Sequence, residues 1–175
     1  MIESLAEQVR TQVEAARPLY HRLVVIVGRP GGGKTRVLLH LAEKHGWAYL
    51  NVNLELTGHL LELTRRQRAL RTPLILADIV NAAGTDVALL DNIEALFSVA
   101  LQQDPLRVLQ GLSRHRTIVA AWPGRLVGRR LMYSEPGHPE ARSYENAEAV
   151  LFPIDSPDAV VVADGQDPGG IDEVR

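Results

Sequence analysis

The stretch LVVIVGRPGGGKTRVLLHLAEKHG, residues 23–46, places an aliphatic run, a glycine-rich turn and a helical pattern one after another. The aliphatic run, Leu23 to Val27, is typical of a strand buried on both faces of a parallel sheet. From Thr35 to His45 the apolar residues recur at helical spacing, and Gly46 is the residue type that ends a helix. The turn between them, Gly28 to Thr35, fits the pattern G-x-x-x-x-G-K-[ST]. The stretch therefore predicts a strand, a phosphate-binding loop and a helix.

The loop residues have the chemistry that phosphate requires. Glycines let backbone N–H groups turn inward as an anion nest, and the following helix presents its positive N-terminal end to the same phosphates. Lys34 would reach the β and γ phosphates of a nucleotide, and the Thr35 hydroxyl would bind Mg²⁺. We therefore expect ATP and Mg²⁺ as cofactors. The predicted nucleotide-binding residues are Gly28, Arg29, Pro30, Gly31, Gly32, Gly33, Lys34, Thr35 and Arg36.

A second acidic group is expected where the next buried strand ends. Residues 87–91 read VALLD, which predicts a strand that closes on Asp91. Open α/β sheets bind their ligands at the carboxyl ends of their strands. We therefore predict that Asp91 and Thr35 together hold Mg²⁺.

The residue that activates water is less directly indicated. Many hydrolytic proteins with this phosphate-binding loop carry glutamate directly after the aspartate. This chain has Asn92 there, an amide that cannot act as a base. Glu94 is the nearest carboxylate, and it shares a face with Asp91 if a helix begins there. We predict Glu94 as the catalytic base; the alternative is a solvated glutamate that the helix dipole favours.

Composition limits the remaining possibilities. The chain has 175 residues, a net charge of −2 and no cysteine, which fits one domain and excludes disulfides and a thiol nucleophile. No apolar run approaches the roughly 18 residues of a membrane span, and the first ten residues do not resemble a secretory signal. We expect a cytoplasmic protein with no membrane partner.

Strand and helix patterns alternate along the chain. This order predicts an α/β fold, a three-layer P-loop NTPase domain with a mainly parallel sheet. The predicted divisions are an N-terminal amphipathic helix at 1–19, the P-loop NTPase domain at 20–155 and an acidic, flexible tail at 156–175.

Several local predictions concern the connections. Alternating apolar and polar residues from Ala48 to Leu56 predict a strand with one solvent-facing side. A short helix is expected at about Gly58 to Leu70, and Thr72 with Pro73 predicts the cap and first turn of another helix. Further expected elements are a helix after Asp104-Pro105, a strand at Leu126–Ser134, a turn at Glu135–Pro139 and a last strand at Val150–Ile154.

Arginines are concentrated between Pro105 and Ser134, a stretch without a carboxylate. Such a segment suits phosphate, either on a neighbour's nucleotide as an arginine finger or on a nucleic-acid backbone. The alternative is pairing with the acidic tail. DNA is therefore a possible partner through Arg107 to Arg130, and Arg125 and Arg114 are the first choices for a finger. The arginines concerned are Arg107, Arg114, Arg116, Arg125, Arg129 and Arg130.

Five motifs together resemble BrxF, the family of small P-loop proteins of type III bacteriophage-exclusion (BREX) defence systems. The resemblance runs from about Leu23 to Tyr144, and its specific part is Trp122-Pro123-Gly124 and Glu135-Pro136-Gly137-His138-Pro139. It implies a bacterial ATP-binding protein that works beside other phage-defence proteins. The motifs are Gly28–Thr35, Leu89–Glu94, Asp104–Arg114, Ala120–Arg125 and Glu135–Glu140.

The chain is also similar to AAA+ ATPases, with departures. No helical lid follows the core, and the strand Thr117 to Trp122 ends without their polar sensor residue, a place that Arg125 could take. The sequence thus predicts an ATPase that needs an oligomer or partner, with Lys34, Glu94 and Arg125 as catalytic residues. The alternatives are a small-molecule or nucleotide kinase and a non-catalytic nucleic-acid-binding module with structural ATP.

Overall fold

The computed structural model describes residues 1–134 and 137–163, which contain five α-helices, three short 3₁₀ helices and nine strands. The helices are α1 (Ile2–Ala16), α2 (Lys34–His45), α3 (Val52–Leu60), α4 (Arg65–Ala83) and α5 (Pro105–Leu112), with 3₁₀ turns at Ile93–Phe97, Val99–Leu101 and Pro157–Ala159. The strands are β1 (Leu23–Gly28), β2 (Ala48–Asn51), β3 (Val87–Asp91), β4 (Thr117–Pro123), β5 (Arg125–Val127), β6 (Arg130–Tyr133), β7 (Arg142–Tyr144), β8 (Ala149–Pro153) and β9 (Val161–Ala163).

A six-stranded sheet in the order β2–β3–β4–β1–β8–β9 forms the centre of the fold. The first five strands are parallel and β9 alone is antiparallel. Every residue of β1, β3 and β4 is buried, as the aliphatic runs predict. The α/β class and the mainly parallel sheet are thus confirmed, and the arrangement is consistent with a P-loop-like fold.

Two apolar clusters lie on the two faces of this sheet. Val24 and Ile26 of β1 belong to the cluster that holds α1 and α2. Val25 and Val27 belong to the other, which holds α3, α4 and α5. The alternation of side chains along a strand produces this division, and it gives three layers.

The small antiparallel sheet β5–β6–β7 follows β4 directly. The single strand predicted at Leu126–Ser134 is therefore wrong, because Gly128 (φ 61°) lets the chain turn back between β5 and β6. The Tyr133 ring stacks on Phe97 with ring centroids 3.7 Å apart, and Trp122 Nε1 donates to Met132 O at 3.1 Å. These contacts fix the hairpin at the carboxyl end of the sheet.

The predicted strand Ala48–Leu56 ends after four residues. Asn51 accepts from Leu54 N at 3.1 Å and so caps α3. The alternation was misleading because Val52, Leu56 and Leu60, spaced by four, are also the buried face of a helix. The helix predicted at Gly58–Leu70 is consequently replaced by the end of α3, a turn and the start of α4.

Helix α4 begins at a capping box and not at Thr72. Thr64 accepts from Gln67 N, and the Gln67 side chain accepts from Thr64 N. Pro73 lies inside the helix, where it cannot donate to the carbonyl of Ala69. Gln103 Nε2 donates to that carbonyl instead, at 2.7 Å, so the acceptor that Pro73 leaves without a helical partner is satisfied.

The sheet continues beyond the boundary predicted at residue 155. A 3₁₀ turn at Pro157–Ala159 leads into β9, which pairs with β8 through Val162 and Val150. The first eight residues of the segment predicted as a flexible tail are therefore part of the fold. Residues 164–175, and Glu135 and Pro136 of the predicted turn, lie outside the described residues.

Candidate functional site

The predicted phosphate-binding loop, Gly28–Thr35, is here called the phosphate loop and connects the end of β1 to the start of α2. Gly31 (φ 76°) and Gly33 (φ 98°) adopt left-handed backbone conformations that a residue with Cβ would adopt only with strain. Gly33 is also the N-cap of α2, with no side chain over the first N–H groups of the helix. The loop therefore leaves these donors available to an anion.

Lys34 is buried at the centre of this loop, with 7% of its surface exposed. Its Nζ donates to the carbonyl oxygens of Gly28 and Arg29, each at 2.7 Å. Burial lowers the pKa of Lys34, although the carboxylates of Asp91, Glu94 and Asp155 act in the opposite direction. Because burial is the larger effect, the positive charge is only partly compensated.

Asp91 is 3% exposed and is the centre of a hydrogen-bond cluster at the end of β3. Its Oδ2 accepts from the hydroxyls of Thr35 and Tyr49, both at 2.7 Å, and its Oδ1 accepts from Asn92 N at 2.9 Å. Burial, followed by the bond to Asp91, raises the pKa of Tyr49. Thr35 and Asp91, predicted as a pair from the sequence, are thus in direct contact.

A cavity of about 320 Å³, here called the phosphate pocket, opens between the loop and the end of β3. Lys34, Thr35, Arg36, Asp91 and Glu94 contribute to its walls. The described residues contain no group of three or more His, Asp or Glu side chains that could hold a metal ion. One hydroxyl and one carboxylate suit Mg²⁺, which is usually bound by one or two carboxylates together with substrate phosphates.

Glu94 lies on the first turn after Asp91, in the 3₁₀ helix Ile93–Phe97. Asn92 precedes it with φ 51°, a left-handed conformation that asparagine tolerates better than most residues. The Glu94 side chain is exposed and borders both the phosphate pocket and a second cavity. It therefore lies at the pocket, as the sequence predicts, on a 3₁₀ turn and not on an α-helix.

The second cavity, about 370 Å³, is here called the hairpin cavity. Its walls include Arg29 and Glu94, together with Arg125, Met132 and Tyr133 of the hairpin. Pro30, Glu94 and Pro123 border both cavities, so the two are adjacent. Arg125 and Glu94 of the same chain thus border one cavity.

The arginines of the stretch Pro105–Ser134 do not form one surface. Strand β4 separates Arg114 and Arg116, which directly precede it, from Arg125, Arg129 and Arg130, which follow it, and the two groups lie at opposite ends of the strand. Arg114 lies over the Tyr20 ring, 4.8 Å from its centroid, and Arg116 donates to Thr85 O; both precede β4. Arg114 and Arg116 therefore do not share one basic surface with the hairpin arginines of the same chain, and Arg114 as a finger on a neighbouring chain stays a prediction.

Two of these arginines also have acidic partners. Arg107 lies 3.8 Å from Asp104, and Arg130 pairs with Glu145 at 2.6 Å. Both carboxylates lie outside the segment, Asp104 directly before it and Glu145 eleven residues after it. The predicted pairing with the tail beyond residue 163 lies outside the described residues.

Two residues at this site were not predicted. Tyr49 reaches Asp91 through the pairing of β2 with β3, a contact across 42 positions that no local pattern indicates. Gly124 lies so close to Met132 O and Trp122 Nε1 that an added Cβ would overlap both. The Trp-Pro-Gly motif includes Gly124, but the sequence does not show that the hairpin backbone lies too close to it for a side chain.

No family model and no curated protein matches this chain. Among solved structures it is similar to the structure of C. elegans PCH-2, with 18% identity and a TM-score of 0.37, over 69% of this chain and 36% of that one. The chain thus spans about a third of the length of this relative, and a likeness at this level carries no argument about function.

None of the helices within residues 1–134 and 137–163 is both long enough and apolar enough to cross a membrane.

Proposed function

We propose that this chain binds ATP with Mg²⁺ in the phosphate pocket and hydrolyses it slowly by itself. The observation that carries the proposal is the ammonium group of Lys34, buried beside open helix N–H groups with its charge only partly compensated. An anion in the pocket would supply the missing negative charge. A purely structural glycine-rich turn would not need a buried cation at its centre.

The residues around the pocket have separable roles in this proposal. Lys34 and the loop N–H groups bind phosphate, and Thr35 and Asp91 hold Mg²⁺, which neutralises charge on the phosphates when it is bound. Glu94 accepts a proton from the attacking water. Arg125, which lines the hairpin cavity together with Glu94, stabilises charge that develops during the transfer.

Slow hydrolysis follows from the position of the base. Asn92 occupies the place where a glutamate would be held directly after Asp91, and Glu94 is exposed on a short 3₁₀ turn. An exposed side chain on such a turn is poorly fixed for proton transfer. We therefore propose that a second copy of the chain, or a partner protein, completes the site, so that ATPase activity per chain rises with protein concentration.

The experiment that tests this proposal uses the only two lysines of the chain, Lys34 and Lys44. Calorimetric titration of ATP with Mg²⁺ should give binding to the wild type and to Lys44→Ala, because Lys44 is exposed on α2 away from the pocket. Lys34→Ala should lose roughly 10- to 150-fold in affinity, since it lacks a charge-assisted bond worth about 1.5–3 kcal/mol. Equal affinity of the two variants would disprove the assignment.

A kinase is a second candidate, and the hairpin cavity favours it. The cavity adjoins the phosphate pocket, and Glu94 borders both, so a hydroxyl compound there would lie beside the same base as water would. The two candidates differ in their products. Hydrolysis releases inorganic phosphate, whereas a kinase makes ADP in proportion to an added hydroxyl acceptor and releases little phosphate.

The biological role in antiphage defence, as a nucleotide-controlled assembly component of a BREX system, remains part of the proposal and rests on the sequence motifs alone. Its test is a plaque assay with a strain that carries Lys34→Ala in place of the wild type. Loss of protection is expected, and unchanged protection would contradict the role.

A nucleic-acid-binding module with structural ATP is the remaining alternative. It now depends on the exposed hairpin arginines, of which Arg130 is already paired with Glu145. Fluorescence anisotropy with duplex and single-stranded DNA at low salt tests it, and binding that falls steeply with added salt would support it.

A further inference from the structure

Tyr49 is the third group on the carboxylate of Asp91, and the phosphate-loop pattern does not include it. In the parallel pair β2–β3, Tyr49 is the register partner of Leu89, and Asp91 follows two residues later on the same face. Two residues advance a strand by about 6.6 Å, a distance that the long tyrosine side chain spans. Its hydroxyl donates to Asp91 Oδ2 at 2.7 Å, as Thr35 does.

These bonds occupy most of the acceptor positions of the carboxylate. A carboxylate offers about four such positions, two on each oxygen. Thr35 and Tyr49 occupy Oδ2, and Asn92 N occupies one position on Oδ1. Among the described residues, one position on Oδ1 therefore remains for a metal ion or its bound water.

We propose that Tyr49 is a positioning residue of the metal site, whose hydroxyl fixes the Asp91 carboxylate so that the site accepts Mg²⁺ and disfavours Ca²⁺. This inference rests on the proposed function. Ca²⁺ commonly takes both oxygens of a carboxylate, whereas Mg²⁺ keeps several waters and uses few protein oxygens. A carboxylate whose Oδ2 already accepts two hydrogen bonds therefore suits Mg²⁺ better than Ca²⁺. Hydrogen-bond partners of metal ligands are commonly worth 10- to 100-fold in metal affinity.

The test is the variant Tyr49→Phe, which keeps the ring and removes only the hydroxyl. ATP affinity is measured by calorimetry in EDTA and at increasing Mg²⁺ or Ca²⁺. The variant should bind ATP in EDTA like the wild type, need roughly 10- to 100-fold more Mg²⁺ for half of the metal effect, and discriminate less between Mg²⁺ and Ca²⁺.

Tyr144→Phe is the matched control. Tyr144 also donates its hydroxyl to an aspartate, Asp104, at 2.9 Å, and burial likewise raises its pKa, but it does not line the phosphate pocket. It should therefore lose a similar hydrogen bond without any change in the metal dependence of ATP binding. Thermal melting of both variants shows whether each is folded.

The possible outcomes separate the inference from the proposed function. A folded Tyr49→Phe with wild-type metal dependence overturns the inference alone. So does an equal loss of ATP affinity in EDTA and in Mg²⁺, because that pattern indicates a general structural role. A wild type that binds no ATP under either condition overturns the proposed function, and the inference with it.

Discussion

The backbone N–H of Gly124 donates to the carbonyl oxygen of Gly28, with an N···O distance of 3.1 Å. The same oxygen accepts from Lys34 Nζ. Gly124 joins β4 to the hairpin, and Gly28 begins the phosphate loop. The loop and the hairpin therefore share one acceptor, so that a change in either affects the position of Lys34.

Gly124→Ala should destabilise the protein. A Cβ at this position would overlap the carbonyl oxygen of Met132 and Nε1 of Trp122, and neither is the end of a flexible chain. Overpacking of this kind costs about 1–3 kcal/mol, which urea unfolding measures. Gly111→Ala is the control, since a Cβ there meets nothing within 4 Å. A Gly124→Ala protein as stable as this control would contradict the prediction.

Lys34→Met should leave the unliganded protein as stable as the wild type, or more stable. The substitution removes a buried cation whose charge is only partly compensated and keeps the aliphatic stem. Thermal melting without nucleotide measures this. Added Mg-ATP should raise the melting temperature of the wild type and not that of the variant, because stabilisation by a ligand depends on its binding. A variant that melts well below the wild type would show that Lys34 mainly supports the fold.

Glu94→Gln should retain ATP binding and lose roughly 100-fold or more in turnover, because an amide cannot accept the proton. Single-turnover kinetics and calorimetry separate the two effects. Glu43→Gln is the control, because Glu43 is exposed on α2, and this variant should hydrolyse ATP at the wild-type rate. If Glu94→Gln hydrolyses ATP at the wild-type rate, the base is another acid or belongs to a partner.

Arg125 should act on the nucleotide of its own chain. It lines the hairpin cavity together with Arg29 and Glu94 of that chain. Arg125→Ala and Glu94→Gln, each slow alone, should therefore remain slow when they are mixed. Recovery of activity in the mixture would show that Arg125 works across an interface, where an arginine finger is typically worth 10³- to 10⁵-fold in rate.

ATP affinity should fall as the pH rises in the alkaline range below 10.5, the ordinary pKa of lysine. Burial lowers the pKa of Lys34 in the unliganded protein, whereas bound phosphates favour its charged form and raise that pKa. ATP binding therefore takes up a proton in this range, which calorimetry in two buffers of different ionisation enthalpy detects. The effect should persist in Lys44→Ala, and its absence from both proteins would contradict the role of Lys34.

The free energy of unfolding of the unliganded protein should rise with pH in this range, whereas ATP affinity falls. With a lowered pKa, the folded state loses the Lys34 proton before the unfolded chain does. The unfolded state then binds more protons, so the free energy of unfolding rises with pH between the lowered pKa and 10.5. Urea unfolding across this range, with Lys34→Met as the reference, measures this contribution.

Local sequence patterns predicted the parts of the site that are local. The glycine-rich loop and the strand that ends at Asp91 have their own signatures, and their meeting follows from the parallel sheet. Tyr49 could not be found in this way, because its partner is set by the register of two strands. The separation of Arg114 from Arg125 has a related cause. Strand β4 lies between them and carries the chain from one end of the sheet to the other.

The helical connections show a second limit. Asn51 and Thr64 are both caps, and the Thr64–Gln67 spacing is a recognisable capping box that could have been read from the sequence. Thr72 with Pro73 predicts a helix start because proline is common in the first turn of a helix, but Pro73 lies inside α4. Its acceptance inside α4 depends on Gln103, thirty residues further on, which no local rule would connect to it.

The pairing of β9 with β8 limits how the chain can be shortened. A protein that stops at residue 155 would lose Val161–Ala163 and leave the β8 backbone groups that face β9 unpaired, along an apolar edge strand. Such an edge is a template for aggregation. A shortened chain that stops after Ala163 keeps β9, and it still removes four of the five acidic residues that follow position 155. Binding experiments with this shorter chain would therefore test the effect of the acidic charge without the effect of an opened sheet.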